Sequence, residues 1–233
     1  MKKLLIIMTL IVAVFMLAAC GETQNPPEPT NAPVVDGGET TSTPEPEPTE
    51  EPVATNGVEY SMGSWNGNVY TNEFLGFKFT MPEGWTKYSN EQINELYQGV
   101  LDNNQDLFKL DTEELKKAIN ESAVFFVFSI NNSTGSNIQI MSEKPAMKVT
   151  ADQYMEALET GLSTVSSVDY TDIKVSKTNV GGIDFNTLTA TANVSGISMK
   201  QAYYTIPVED LFVSIIVTDT SNEVNINDLI SKI

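Results

Sequence analysis

The chain has 233 residues, with 31 Asp and Glu against 13 Lys and Arg and no His, which gives a formal net charge of -18. This charge repels polyanions, and the cationic residues are scattered, so the composition argues against a nucleic acid partner. Without His, neither a Ser-His-Asp nor a Cys-His catalytic arrangement can form. The composition indicates no cofactor.

The first twenty residues have the pattern of an exported, lipid-modified protein. Two lysines precede an apolar stretch over residues 4–17, which has signal-peptide length and is short for a spanning helix. The stretch runs into Leu-Ala-Ala-Cys, which resembles the bacterial lipobox. The resemblance implies cleavage between Ala19 and Cys20 and a diacylglyceryl group on the Cys20 thiol. Residues 1–19 are therefore predicted to be a lipoprotein signal peptide.

Cys20 is the only cysteine, so no disulfide can form within the chain. The diacylglyceryl group on its sulfur carries two acyl chains, which hold a protein stably on a bilayer, whereas one chain binds only marginally. The alternative is a lone transmembrane anchor, but polar residues rather than a cationic flank follow the cysteine. We expect an extracytoplasmic protein anchored to the cell membrane through this lipid.

Residues 20–57 are predicted to comprise the lipidated cysteine and a disordered stalk. Beyond the cysteine this segment is rich in Pro, Glu and Thr and contains no aromatic residue, Lys or Arg. Such a composition cannot bury enough apolar surface to offset the entropy of ordering. The alternative is that the Pro-Glu repeat over residues 43–52 is itself a docking peptide. The remaining residues, 58–233, are expected to form a single domain.

The folded part is expected to begin near Val58 or Trp65. Residues 69–71 and 74–81 predict two short strands around a turn at Asn72, because the second alternates apolar and polar side chains. A Pro-Glu-Gly-Trp sequence ends the second strand.

The segment YTNEFLGFKFTMPEGW, residues 70–85, resembles the entry segment of PsbP-like α/β sandwich domains, which occur in many bacterial surface lipoproteins. The resemblance implies an α+β fold. Because members of that family are mostly non-catalytic partners of other proteins, it also implies a binding or assembly role. No functional residue is carried over, since fold alone does not fix function.

Two helices are expected next. Ser89 and Gln92 have the spacing of a capping box, and apolar residues then recur at helical intervals as far as Leu101. A second helix is predicted to start at Asp111 or Thr112.

The connection between these helices contains a possible calcium loop. Asp102, Asn104, Asp106 and Glu113 place oxygen ligands at positions one, three, five and twelve of an EF-hand register. The sixth position is Leu107, although the sharp turn there requires Gly. We therefore favour an interhelix loop over a metal site.

The rest of the chain predicts a sheet with further helices. Residues 123–131 and 137–142 are expected to pair as strands, and a third helix begins at Thr150 or Asp152. Residues 225–233 show helical spacing and are predicted to form a last helix. The fold class is therefore α+β, a largely antiparallel sheet flanked by helices. Between the third helix and the last helix, four strands are expected to form a meander, with the apolar last strand at the centre of the sheet. They are predicted at residues 170–179, 183–194, 197–206 and 210–219.

Three local features bear on binding. Trp65 lies where the stalk meets the domain and is a weak candidate for a binding anchor, although packing on the domain edge is favoured. One of Tyr203 and Tyr204 is expected to be exposed, because neighbouring strand residues alternate faces. Gly181 and Gly182 predict a hairpin turn rather than a phosphate site, since no helix follows them.

These observations favour a non-enzymatic module that binds another envelope protein, or assists its assembly, through a sheet face or edge. The first alternative is a surface lipoprotein that binds a small ligand or glycan. The second is a hydrolase with paired carboxylates, for which the many acids leave room. The sequence indicates no particular oligomeric state.

Overall fold

The part of the chain that the structure describes forms two antiparallel sheets and two α-helices, which confirms the predicted α+β class. The computed structural model describes residues 60–103, 122–145, 147–165, 168–194, 196–222 and 224–232. The helices are α1 (Asn90–Asn103) and α2 (Ala151–Leu162). The strands are β1 (Ser64–Asn66), β2 (Val69–Asn72), β3 (Phe77–Thr80), β4 (Thr86–Lys87), β5 (Ala123–Ile130), β6 (Asn137–Glu143), β7 (Asp169–Val180), β8 (Ile183–Val194), β9 (Ile197–Val208), β10 (Leu211–Asp219) and β11 (Ile230–Lys232).

The elements form three layers. The large sheet has the order β4-β5-β6-β10-β9-β8-β7, so the apolar β10 is central, as predicted, and the four-strand meander is confirmed. The small sheet has the order β1-β2-β3-β11. Met155 and Leu158 of α2 pack against one face of the large sheet. Phe77 and Phe79 of the small sheet lie in the core that covers the other face of the large sheet.

Because both faces of the large sheet are covered, the expectation of one exposed tyrosine is wrong. Tyr203 is buried in the core beneath the helices. Tyr204 points the other way and is half-buried, with its ring centroid 6.0 Å from that of Phe185 in the core beneath the small sheet. Strand alternation correctly separates the two side chains, but it cannot reveal a second covering layer.

The continuous apolar sequence of β5 is explained by this two-sided burial. A bulge between Phe125 and Val127 shifts the register against β6. Phe126 and Val127 consequently both enter the core beneath the small sheet, whereas Phe128 faces the helices. An alternating sequence would have left polar groups in one of the two cores.

The predicted starts of the first and third helices are confirmed in detail. The Ser89 backbone N–H donates to the Gln92 side chain at 2.8 Å, and the Gln92 N–H donates to the Ser89 hydroxyl at 3.3 Å. Thr150, rather than Asp152, caps α2, with the same reciprocal pair of bonds to Gln153. Each capping box satisfies two backbone donors that would otherwise lack partners.

Several sequence predictions fall partly or wholly on residues that the structure does not describe, including the signal peptide over residues 1–19 and the stalk over residues 20–57. The helix expected from Asp111 or Thr112 lies outside the described residues. Of the possible calcium loop, Asp102 lies within α1, and residues 104–113 are not described.

The last helix predicted for residues 225–233 is wrong. The chain instead makes a 3-10 turn, Ile226–Asp228, and then forms β11, which pairs with β3 through Ile230 opposite Phe79. A nine-residue segment gains few internal helical hydrogen bonds, whereas β3 offers a full row of backbone partners. Ile226 and Ile230 are buried in the structure, and the predicted helix also directed both inward, so their spacing could not decide between the two conformations.

The turn at Asn72 is longer than expected, and the following strand begins three residues later than predicted. The Asn72 side chain accepts a hydrogen bond from the Leu75 N–H at 3.1 Å, and its carbonyl accepts one from Gly76 at 3.0 Å. Phe74 and Leu75 are buried although they lie in the turn. Their apolar character therefore reflects core packing and not strand structure.

Candidate partner-binding edge

β7 forms one edge of the large sheet, and β4 forms the other. β7 is a terminal strand of 12 residues, and most of its side chains are exposed. Within the described ranges, no strand pairs with its outer side. An edge strand presents backbone N–H and C=O groups to which another chain can add.

A bulge divides β7 into two parts. The register against β8 shifts between Thr171 and Lys174, where Asp172 has a φ of 54°. Residues 174–180 then pair with β8 without interruption. Bulges and lysines on an edge limit indiscriminate pairing, and residues 174–180, the open segment, carry the exposed Lys174 and Lys177.

A groove of about 350 Å³ lies beside this open segment. Val175 contributes to it and has 42% of its surface exposed. The α2 wall contains acids spaced four and three residues apart, which places them on one face of the helix. The lining residues are Asp152, Met155, Glu156 and Glu159 from α2 and Val175, Ser176, Lys177 and Asn186 from the strands.

The charges of the groove are distributed unequally. Its helical wall contributes three carboxylates, and its strand side contributes one ammonium group, from Lys177. The groove is thus net negative in a chain of formal charge -18, and its field favours cationic groups.

This lining does not suit a paired-carboxylate hydrolase or the stacking of a sugar. A glycosidase of the paired-carboxylate type holds its two acids on opposite sides of the bond that it cleaves. Here all three carboxylates belong to the same helix face, and the residues opposite them are Val, Ser, Lys and Asn. None of the lining residues is aromatic, so the groove offers no ring on which a sugar could stack.

A buried carboxyl group helps to hold α2, and with it the acidic wall, on the sheet. Glu143 of β6 is 3% exposed, and the Tyr154 hydroxyl of α2 donates to its Oε2 at 3.2 Å. The Tyr154 ring stacks on Phe212 of β10 with a centroid distance of 4.0 Å. Burial raises the pKa of Glu143 from its ordinary value of 4.5 to about 7, while the Tyr154 hydrogen bond acts in the opposite direction.

Sequence reasoning missed Glu143 and the β7 edge. Asn137, Gln139, Met141 and Glu143 alternate along β6, and Met141 lies in the core beneath the helices. Glu143 shares the parity of Met141, so the strand pattern could have placed it on the buried face. The edge position of β7 had no comparable sequence indication.

Trp65, the weak binding candidate, lies on β1 in the small sheet, whereas β7 belongs to the large sheet. Its half-buried ring packs on Phe79 at 6.1 Å and on Tyr70 at 5.4 Å. The Lys87 ammonium lies 4.7 Å from the ring centroid. Ala19 and Cys20 lie outside the described residues.

The described residues hold neither a metal-ligand cluster nor a membrane-spanning helix. They contain no group of three or more His, Cys, Asp and Glu side chains that could hold a metal ion. No helix in this part of the chain has the length and apolar character needed to cross a membrane.

The chain is similar in general architecture to solved structures. One is the solution structure of cyanobacterial PsbP (CyanoP) from Synechocystis sp. PCC 6803, with 12% identity and a TM-score of 0.41, covering 69% of this chain and 87% of that chain. Another is LpqN, involved in cell envelope biogenesis of Mycobacterium tuberculosis, with 8% identity and a TM-score of 0.38, covering 66% and 82%. No family model matches, and the search of curated proteins finds no match. These likenesses assign no function.

Proposed function

We propose that this chain is an extracytoplasmic lipoprotein, anchored through Cys20, whose domain binds another envelope protein and catalyses no reaction. The observation that carries the proposal is the open outer edge of β7 with the acidic groove beside it. Strand edges of this kind are a recurring mode of protein recognition, because backbone hydrogen bonds supply affinity and neighbouring pockets supply specificity.

The sequence preceding the domain fits a tethered binder. A flexible coil of about 37 residues reaches on the order of 35 Å, and a fully polyproline chain of that length reaches on the order of 110 Å. A domain on such a stalk can stand clear of the lipid headgroups. Tethering also raises the effective concentration of the domain near other envelope proteins, so a weak interface can suffice.

The experiment is whole-cell crosslinking followed by fractionation and affinity purification of the tagged full chain. We expect the wild-type protein in the membrane fraction, together with one discrete envelope protein. Cys20→Ser should move the chain to the soluble fraction, because the variant lacks the acyl chains. If Cys20→Ser stays in a carbonate-washed membrane pellet, the anchor is wrong. If no partner is enriched and the purified chain turns over a hydrolase substrate, the binding function is wrong.

A further inference from the structure

Resting on the function proposed above, we infer that the open segment of β7 takes up an extended, basic segment of a partner protein as an additional antiparallel or parallel strand. The partner's basic side chains lie against the acidic wall of α2. The proposed function leaves open the chemical class of the partner and the mode of contact, both of which this strand addition specifies.

The backbone of residues 174–180 supplies the template. This part of β7 keeps a regular register with β8, from Lys174 opposite Thr189 to Val180 opposite Ile183. Regular pairing on the inner side fixes the pleat, so the outward N–H and C=O groups are already spaced for a further strand. The bulge at Asp172 limits that strand to one side of the bulge.

The side chains of the groove supply the selectivity. A strand added beside β7 directs alternate side chains toward the layer that contains α2. On that side they meet the exposed Glu156 and Glu159, one turn apart on the helix, and also Lys177 of β7. The three carboxylates of the groove outnumber this one ammonium group, so the net charge favours Lys or Arg over acidic residues at the alternate positions.

An apolar contact completes the recognition. Val175 is among the few large apolar side chains that the described surface exposes, and it lies in the same groove as the acids. The aliphatic stem of a Lys or Arg on that side of the added strand can cover it across the strand pair. The residues between the basic ones point to the other face of the sheet, where Val, Ile or Thr suit an extended strand.

A second copy of this chain is a less suitable occupant. Two chains that each carry a net charge of -18 repel one another. Pairing of two β7 strands would also bring together two bulged edges, each interrupted at Asp172. Charge complementarity thus favours a basic partner over self-association.

The test uses the full chain and three synthetic peptides in nuclear magnetic resonance titrations. The first peptide is Thr-Lys-Val-Lys-Thr-Lys-Val, the second has Glu in place of each Lys, and the third is the first with alternate backbone nitrogens methylated. We expect only the first to shift the amide resonances of residues 174–180 and of α2. Methylation should abolish binding, because it removes the donors that strand addition requires while it keeps the charge.

A pair of matched variants tests the acidic wall. Glu156→Lys/Glu159→Lys should weaken binding of the basic peptide about tenfold, as expected for reversal of two exposed charges. The control Glu73→Lys/Glu83→Lys makes the same change of net charge at exposed positions near the small sheet. It should weaken binding much less, through the general field alone.

Three results would overturn the inference. They are equal binding of the methylated peptide, equal losses in the two double variants, and concentration-dependent pairing of the chain with itself through β7. None of these results depends on whether a partner is captured in cells. A captured partner that contacts another face would uphold the proposed function and contradict only this inference.

Discussion

Replacing Glu143 by Gln is expected to stabilise the protein at pH 7 by about 3 kcal/mol and to remove the loss of stability that this carboxyl group causes between pH 4.5 and about 7. The carboxyl group is buried against Tyr154, and its pKa is raised from 4.5 to about 7. Each pKa unit corresponds to about 1.4 kcal/mol between the protonation states. The amide of Gln has the shape of the protonated acid and cannot ionise.

The direction in which stability changes with pH follows from the protonation of Glu143 in the folded and unfolded chains. Below pH 4.5 the carboxyl is protonated in both states, so it imposes no penalty. Between pH 4.5 and about 7 the unfolded chain releases the proton while the folded chain retains it, and the free energy of unfolding falls as pH rises. Above that range both states are ionised, and the contribution of this group is constant.

Urea unfolding from pH 4 to pH 8 measures this effect. The curves of wild type and Glu143→Gln should coincide near pH 4 and separate as pH rises. Glu73→Gln changes an exposed acid and should shift stability by no more than about 0.5 kcal/mol. Parallel wild-type and Glu143→Gln curves across the range would show that Glu143 is not held protonated in the fold.

Gly181→Ala is expected to destabilise the fold by about 4 kcal/mol. Gly181 opens the turn between β7 and β8 with a φ of 58°, which favours glycine. A Cβ atom there would overlap the carbonyl oxygen of Ile230 and lie 2.8 Å from the Cα atom of Ser231. Because these are backbone atoms of β11, the strand would have to move and partly expose Ile230, which adds to the left-handed backbone strain.

Gly182 provides the matched control, because it lies in the same turn with a φ of 85° but has no atom near the position of a Cβ. Gly182→Ala should therefore lose only about 1 kcal/mol, from backbone strain alone. Thermal or urea unfolding distinguishes the two variants. Equal losses would mean that β11 does not pack against this turn.

Local hydrogen bonding and periodicity made much of this fold predictable. The capping boxes at Ser89 and Thr150 follow from side chains three residues apart, and the hairpin at Gly181 follows from two adjacent glycines. These features require only neighbouring residues, so the sequence contains all the information they need.

Two of the wrong predictions involve contacts between distant segments. Residues 225–233 form a strand because β3 is available as a partner, and Tyr204 is covered because the small sheet lies over it. The position of the candidate edge also depends on contacts between distant segments. β7 is terminal because β6 pairs with β10, far away along the chain, and no local pattern specifies that order.

The absence of His excluded several catalytic arrangements from composition alone, but no composition argument could locate a binding surface. Trp65 was singled out because aromatic residues often anchor interfaces. In the structure its ring packs on Phe79 and Tyr70. No sequence pattern marks the acids of α2 as part of a site, and only the structure shows that they lie beside the edge of β7.

The central claim, that the β7 edge binds an envelope protein, is tested most directly by a photo-crosslinking amino acid introduced at single positions in living cells. Thr178 is exposed on β7, and Asn66 is exposed on β1 at the edge of the small sheet. We predict a discrete adduct with one envelope protein from position 178 and none from position 66. No adduct at position 178, or the same adduct from both positions, would contradict the claim.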